Sequence, residues 1–130
     1  MEKSKGYVQK ACDVPVKRYC QTLELKNDPQ LIEEYVKRHS ELHHWPEIVE
    51  GIRSVGILEM EIYLLGTTLF MIVETPLDFE WERAFNKLAE LPRQSEWETY
   101  MSIFQQADST ATSSEKWTLM DRIFHLYEKK

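Results

Sequence analysis

Glycine and basic residues are scarce in this chain, and each shortage argues against a class of protein. The 130 residues include four glycines, and neither GxGxxG nor a P-loop pattern occurs, so no phosphate-cradling nucleotide loop is indicated. Sixteen Lys and Arg stand against 22 acidic residues, which gives a formal net charge of −6. Because no basic patch stands out, we expect neither nucleic acid nor an anionic membrane surface as a partner.

Cysteine and long apolar runs are also scarce. Cys12 and Cys20 do not form a CxxC pair, and Cys20 lies inside an apolar run. This placement predicts a buried or half-buried free thiol rather than a disulfide. No apolar stretch approaches the roughly 18 residues that a membrane-spanning helix needs, and the charged N-terminal segment lacks the apolar core of a secretion signal. We therefore expect a single cytoplasmic domain with no membrane span.

The chain does contain alternating strand and helix patterns. Residues 1–16 show little periodicity, so we predict an N-terminal arm there and a folded domain over 17–130. Two strands with a tight turn at Gly66-Thr67 are typical of a hairpin. The four predicted strands cover residues 17–26, 57–65, 68–75 and 117–127.

Capping residues and prolines mark the predicted helices. Asp28 is a good N-cap before Pro29, and the apolar spacing continues through His39 and Leu42 to a break at Trp45-Pro46. A short helix then runs from Pro46 to a stop at Gly56, and two amphipathic helices follow at 78–91, capped by Asp78, and at 93–107.

The element order β, α, β, β, α, β is that of a ferredoxin-like α+β fold. It predicts a four-stranded antiparallel sheet with helices on one face. The other face would then be bare, and we expect it either to bind a ligand or to pack on a second copy of the chain.

A run of histidines is the first candidate site. His39, His43 and His44 precede Trp45, and histidines four residues apart on a helix can share a divalent ion. However, no third ligand lies at a known spacing, and nothing in the sequence brings His125 close. Because imidazolium groups favour the C-terminal end of a helix, we interpret His43 and His44 as helix-end residues and expect no metal site.

The pair Tyr35 and His39 is the second candidate. Residues four apart lie on one helix face, so a phenol and an imidazole can point into one cavity. Histidine can exchange a proton near neutral pH without a metal. The alternative is that the pair only satisfies hydrogen bonds at the edge of the core. Trp45 and Trp97 are similarly ambiguous, since tryptophan packs in cores and also against the apolar faces of sugars.

Several short motifs occur together in one order, and each alone is weak. They are Tyr35 with Arg38-His39, Trp45-Pro46-Glu47, Ile62-Tyr63-Leu64, 70–74, and 97–101. In this order they resemble the L-rhamnose mutarotase family over about residues 17–127. The resemblance implies a homodimer of ferredoxin-like subunits, a dimeric α+β barrel, that interconverts the α and β anomers of a 6-deoxy-hexose without a cofactor.

The same resemblance suggests roles for individual residues. His39 matches the proton donor, Tyr35 a substrate-binding tyrosine, and Trp97 the first of two adjacent substrate-contacting tryptophans. Glu98 stands in place of the second tryptophan, and Met60 stands in place of a sugar-binding tyrosine. With Trp45, these residues are the expected substrate contacts.

The two departures leave the sugar open. L-Rhamnose or a related 6-deoxy-hexose is the expected substrate, and L-fucose is the nearest alternative. A non-catalytic sugar-binding module of the same fold is a different class of function, for which Met60 and Glu98 would mark lost chemistry. A small monooxygenase on this fold is a weaker alternative, because no distinct motif for oxygen chemistry occurs.

Overall fold

A computed structural model of the chain describes residues 6–10, 13–40, 44–106 and 116–127. Within these ranges the sheet order is β2-β3-β1-β4, which is the ferredoxin-like order. All strand pairings are antiparallel, so the predicted α+β fold is confirmed. The strands are β1 (Lys17–Glu24), β2 (Glu59–Leu65), β3 (Thr68–Thr75) and β4 (Thr118–Leu119), and the helices are α1 (Pro29–Arg38), α2 (Pro46–Ser54), α3 (Trp81–Ala89) and α4 (Gln94–Met101).

The core lies between the helices and one face of the sheet. Alternate residues of a strand point to opposite faces, and in β3 Leu69, Met71 and Val73 are buried against the helices. Phe85 and Leu88 of α3 join this core, as the amphipathic pattern predicts. On the other face, Arg18 of β1 pairs with Glu74 of β3, so that face carries charge.

The start of α1 and the bounds of α2 agree with the predictions. The Asp28 side chain accepts hydrogen bonds from the amides of Gln30 and Leu31, at 3.0 and 3.4 Å. Trp45 is extended, Pro46 begins α2, and Gly56 follows its end with φ of 103°. A positive φ suits glycine because it has no side chain.

The first helix is shorter than predicted. We expected it to continue past His39, but α1 ends at Arg38 and His39 is its C-cap. Leu42 and His43 lie outside the described residues. His44 lies between α1 and α2, so its interpretation as a helix-end residue is wrong. The spacing of apolar residues suggested a longer helix because His39, although it is only the C-cap, packs on Tyr35 as a helical residue four positions later would.

Two further helix predictions need correction. Asp78 does not cap α3, because the chain turns at 76–79, where the amide of Phe79 donates to the carbonyl of Pro76, and Glu80 is the N-cap. The turn buries Phe79, which an earlier helix start would move. Helix α4 ends at Met101 rather than near residue 107.

The predicted last strand is mostly absent. Only Thr118 and Leu119 pair with β1, and residues 120–127 are exposed and form no strand in this structure. The segment is rich in apolar residues, but a strand also needs a neighbour for its backbone groups. In this chain β1 provides that neighbour for two residues. The first strand is also shorter than predicted, since β1 ends at Glu24 and Leu25 forms only an isolated bridge with Gln105.

The described part of the N-terminal segment lies against β2. The ring of Tyr7 contacts Tyr63 at a centroid distance of 5.8 Å. Cys20 is a half-buried free thiol, as predicted, while Cys12 lies outside the described residues. Within the described ranges, the helices are too short and too polar to cross a membrane.

Candidate active site

A cavity of about 580 Å³ lies between the sheet and the helices α1, α2 and α4. This volume is within the usual range for small-molecule sites. The six residues predicted for the site all line it, although they come from four different elements or their caps. These residues are Tyr35, His39, Trp45, Met60, Trp97 and Glu98.

Helix α4 contributes one face to the cavity. Gln94, Trp97, Glu98 and Met101 line it, and their spacing of three and four residues places them on one side of a helix. Tyr35 comes from the last turns of α1, His39 from its C-cap, and Trp45 from the N-cap of α2. The break between α1 and α2 therefore brings Trp45 beside Trp97, with ring centroids 5.2 Å apart.

The hydrogen bond of His39 determines which ring nitrogen is free. Its Nδ1 lies 2.8 Å from the carbonyl oxygen of Tyr35. A carbonyl only accepts, so Nδ1 carries the proton and the neutral ring has an unprotonated Nε2. That nitrogen is available to take a proton from a ligand in the cavity.

The environment of His39 also favours the neutral ring. The residue keeps an exposed surface at the end of α1, but its ring lies against Tyr35 and Trp97, at centroid distances of 4.4 and 5.4 Å. Loss of water around the imidazole lowers the pKa of His39 below 6.5, and the hydrogen bond to Tyr35 opposes this only in part. At neutral pH the ring is therefore a base.

Tyr35 supplies a buried hydroxyl beside this base. Burial raises the pKa of Tyr35 to about 12, so the phenol stays protonated at neutral pH. Its oxygen accepts a hydrogen bond from Nε2 of Gln105 at 3.4 Å. Because the oxygen accepts there, the hydroxyl proton can be donated to a ligand.

We call Tyr35, His39, Trp45 and Trp97 the aromatic half of the cavity. Their rings contact one another in tilted or edge-to-face geometry. The guanidinium of Arg93 lies 4.1 Å from the ring centre of Trp45 and holds it from outside by a cation–π contact. These contacts hold flat apolar surfaces next to the imidazole of His39.

Three glutamines that the sequence interpretation missed also line the cavity. Gln21 comes from β1, Gln94 from the start of α4, and Gln105 follows α4. All three are buried, and we call them the glutamine wall. A signal existed for Gln21, which occupies an inward position between Tyr19 and Leu23, while the other two carry no distinctive pattern.

Glu98 and Lys116 form a second buried polar group. The Glu98 carboxylate accepts a 2.7 Å hydrogen bond from Nε2 of Gln94. Nζ of Lys116 donates to the Glu98 backbone carbonyl. Burial lowers the pKa of Lys116, and the nearby Glu98 carboxylate opposes this shift. The position expected to hold a second tryptophan thus carries charge on this side of the cavity.

The other histidines take different positions. His44 lines the cavity, with Nδ1 at 3.2 Å from the Ser40 carbonyl. His125 is exposed in the C-terminal segment. Among the described residues, no three or more His, Cys, Asp or Glu side chains cluster closely enough to hold a metal ion.

Fold and cavity together define an α+β protein with a partly open cavity in which a histidine lies beside aromatic rings. Comparison with known proteins then gives the family. The family model for L-rhamnose mutarotase matches residues 18–126, so the chain belongs to the L-rhamnose mutarotase family, which consists of isomerases that interconvert sugar anomers.

Individual relatives agree with this assignment. An L-fucose mutarotase of Xanthomonas campestris is 34% identical over 113 residues, which cover 87% of this chain and 90% of that protein. A UPF0734 protein of Dictyostelium discoideum is 42% identical over 120 residues, 89% of this chain and 93% of that protein. The crystal structure of an L-rhamnose mutarotase from Formosa agariphila matches with a TM-score of 0.63 at 19% identity, covering 85% of this chain and 99% of that chain. At that identity it supports the fold.

Proposed function

We propose that this chain interconverts the α and β anomers of a 6-deoxy-hexose, with His39 as the proton-transferring residue and no cofactor. The observation that carries this proposal is the hydrogen bond from Nδ1 of His39 to the Tyr35 carbonyl, which leaves Nε2 free beside Tyr35 and Trp97. Mutarotation requires a group that can both take and return a proton near neutral pH.

The chemistry needs one relayed proton. Nε2 of His39 takes the proton of the anomeric hydroxyl while the bond between C1 and the ring oxygen breaks. The imidazolium then gives that proton to the ring oxygen, which leaves an open-chain aldehyde and a neutral ring. After rotation about the C1–C2 bond the same steps run in reverse on the other face of the aldehyde, so no proton is gained or lost overall.

Other residues of the aromatic half would bind and orient the sugar. The Tyr35 hydroxyl donates a hydrogen bond rather than acting as an acid, because its high pKa disfavours a tyrosinate. Trp97 and Trp45 pack against apolar faces of the ring. Met60 and Glu98 line the remaining space and contact the substituents of the sugar.

Two sugars are supported by different comparisons. The family model is named for L-rhamnose, whereas the Xanthomonas relative, similar over most of both chains, is named for L-fucose. The two sugars differ in configuration at C2 and C4 and share the anomeric centre on which His39 would act. Both therefore belong in one test.

Exchange NMR on the wild-type chain tests the proposal. Saturation of one anomeric proton signal should transfer to the other anomer of L-fucose or L-rhamnose at a rate proportional to protein concentration. An exchange rate equal to the protein-free control for every 6-deoxy-hexose would contradict the proposal. Saturable sugar binding with no rate effect would instead favour the non-catalytic sugar-binding module.

We also propose that the protein is a homodimer. Residues 121–127 form an exposed segment outside any strand, in which Ile123 is 96% exposed and Phe124 73%. Apolar side chains of this size are usually covered, and a second copy of the chain can cover them. Light scattering should give twice the chain mass, and a chain truncated after Met120 should give a smaller mass. A monomeric full-length chain would refute the dimer.

Two further proposals concern the domain bounds and the cellular location. The family match to residues 18–126 supports a mutarotase domain over 17–130 with an N-terminal arm over 1–16. The free thiol of Cys20 supports a cytoplasmic location, where thiols stay reduced. Fractionation of cells that express the untagged chain would test the location.

A further inference from the structure

The glutamine wall carries unpaired hydrogen-bonding atoms. Gln21, Gln94 and Gln105 are 2, 3 and 3% exposed. The Oε1 atom of each is buried without a hydrogen-bond partner among the described residues. Buried polar atoms in native proteins are nearly always paired, and an unpaired one lowers stability. All three residues line one cavity, so a ligand in it can supply these partners once the amides turn toward it.

The amide group defines the chemistry of that ligand. An amide oxygen accepts hydrogen bonds and an amide nitrogen donates them, and a hydroxyl group can do either. A ligand with several hydroxyls therefore satisfies these side chains whichever way each amide is turned. Carboxylate or phosphate ligands only accept hydrogen bonds, so they would leave the three amide oxygens unpaired.

We propose that Gln21, Gln94 and Gln105 bind the non-reacting hydroxyls of the monosaccharide and thereby determine which sugar is accepted. This inference rests on the proposed mutarotase function and assigns specificity within it. Mutarotation changes only the anomeric centre, so the remaining hydroxyls keep their positions while the reaction proceeds. Residues that bind them act on substrate selection rather than on proton transfer.

The physical basis of selection is the unpaired atom itself. A site built to hydrogen-bond a hydroxyl discriminates strongly against an analogue that places the hydroxyl elsewhere, because a buried polar group is then left unpaired. L-Fucose and L-rhamnose differ in the orientation of two hydroxyls. The same three amides therefore cannot satisfy both sugars equally in one ring orientation.

Gln21 gives the cleanest test. No side-chain hydrogen bond from it is found within the described ranges, whereas Gln105 also contacts Tyr35 and Gln94 also contacts Glu98. Methionine has a similar shape without the amide. Gln21→Met therefore removes a ligand contact with little change in packing, and the exposed residue Gln30 provides the matched control, Gln30→Met.

The experiment measures exchange kinetics and melting temperature of the purified full-length chain with both sugars. For Gln21→Met we expect KM for the preferred sugar to rise by about tenfold, while kcat stays within about threefold. The ratio of kcat/KM between the two sugars should fall by about tenfold. Because an unpaired buried amide is removed, the melting temperature without sugar should be unchanged or higher. Gln30→Met should match the wild type.

Other outcomes separate this inference from the proposed function. Unchanged KM and unchanged sugar preference in Gln21→Met, with an active wild type, would overturn the specificity role alone. A lower melting temperature with equal losses for both sugars would show a structural role and also overturn it. If Gln21→Met does not fold, Gln105→Met is measured in the same way, with Tyr35→Phe separating any effect through the tyrosine.

Binding titrations by ligand-observed NMR cover the case of an inactive wild type. If wild type binds one sugar without accelerating exchange and Gln21→Met weakens that binding, the proposed function fails while the binding role holds. If wild type binds neither sugar, both are refuted.

Discussion

The aromatic half and the glutamine wall differ in whether their polar side-chain atoms have hydrogen-bond partners within the protein. In the aromatic half the rings contact one another, and His39 bonds the Tyr35 carbonyl, so the arrangement is complete without a ligand. In the glutamine wall each amide oxygen lacks a partner among the described residues. A preformed surface keeps catalytic geometry fixed, whereas unpaired atoms gain their bonds only when the right molecule arrives. The difference supports the proposal that one side transfers the proton and the other selects the sugar.

Replacement of His39 should give the largest effect on the aromatic half. His39→Asn removes the only ring nitrogen that the mechanism uses, and a positioned acid–base group typically contributes about 10²–10⁴-fold in rate. We expect the protein-dependent part of anomer exchange to fall by this factor while KM changes little. Exchange NMR gives the rate, and circular dichroism confirms the fold.

The exposed His125 provides the control for this replacement. His125→Asn should exchange at the wild-type rate. If His39→Asn kept more than about a third of wild-type activity, His39 would not be the proton-transferring residue.

Lowering the pH should gradually reduce the rate of anomer exchange that depends on His39. The pKa of His39 is lowered from 6.5, mainly by loss of water around the ring. Protonation blocks Nε2, so protein-dependent exchange should be constant above pH 6.5 and decrease as the pH falls through the lowered folded pKa. The stability linked to His39 follows the same sign, being present above the unfolded pKa of 6.5 and lost below the folded value.

A pH series of exchange rates, corrected for the protein-free reaction, measures this midpoint. Residual activity of His39→Asn should not show it. A midpoint above 6.5 in the wild type would contradict the assignment to His39.

Tyr35 belongs to the aromatic half and is hydrogen-bonded to Gln105 of the glutamine wall. Its replacement should therefore affect both activity and stability, but activity less than the replacement of His39 does. Tyr35→Phe removes the donated hydroxyl and leaves Nε2 of Gln105 without its acceptor. Losing one hydrogen bond to the sugar should lower kcat/KM by roughly tenfold, and the unpaired amide should lower the free energy of unfolding by about 1 kcal/mol.

Urea denaturation and exchange NMR test both parts of this prediction. Tyr19→Phe, a half-buried tyrosine that does not line the cavity, should change neither. An unchanged free energy of unfolding in Tyr35→Phe would show that the hydrogen bond between Gln105 and Tyr35 does not stabilise the fold.

The sequence predicts the aromatic half far better than the glutamine wall. Tyr35 and His39 share a helix spacing, and Trp45 and Trp97 belong to motifs, so local patterns could find them. Gln94 and Gln105 look like ordinary surface residues in the sequence, because only the packing of α4 on the sheet makes them buried. The same limit explains the last strand, since the apolar residues at 117–127 show side-chain character and not the presence of a neighbouring strand.

Lys116 should give the smallest effect, because it lies beside the glutamine wall without being needed by it. The residue is 7% exposed, and its ammonium donates to the Glu98 carbonyl, which also accepts the amide of Ser102 at 3.0 Å. Lys116→Met leaves that carbonyl paired. Burial lowers the pKa of Lys116 more than the nearby Glu98 carboxylate raises it, so folding disfavours the charged ammonium. We therefore expect the free energy of unfolding at neutral pH to rise modestly. Because burial lowers the pKa of Lys116 from 10.5, the stability difference between Lys116→Met and wild type should shrink as the pH approaches 10.5.

Lys87→Met, at an exposed position of α3, is the control and should change stability little at either pH. A marked loss of stability in Lys116→Met would mean that the ammonium holds α4 in place, and the polar side of the cavity would then depend on Lys116 for its geometry.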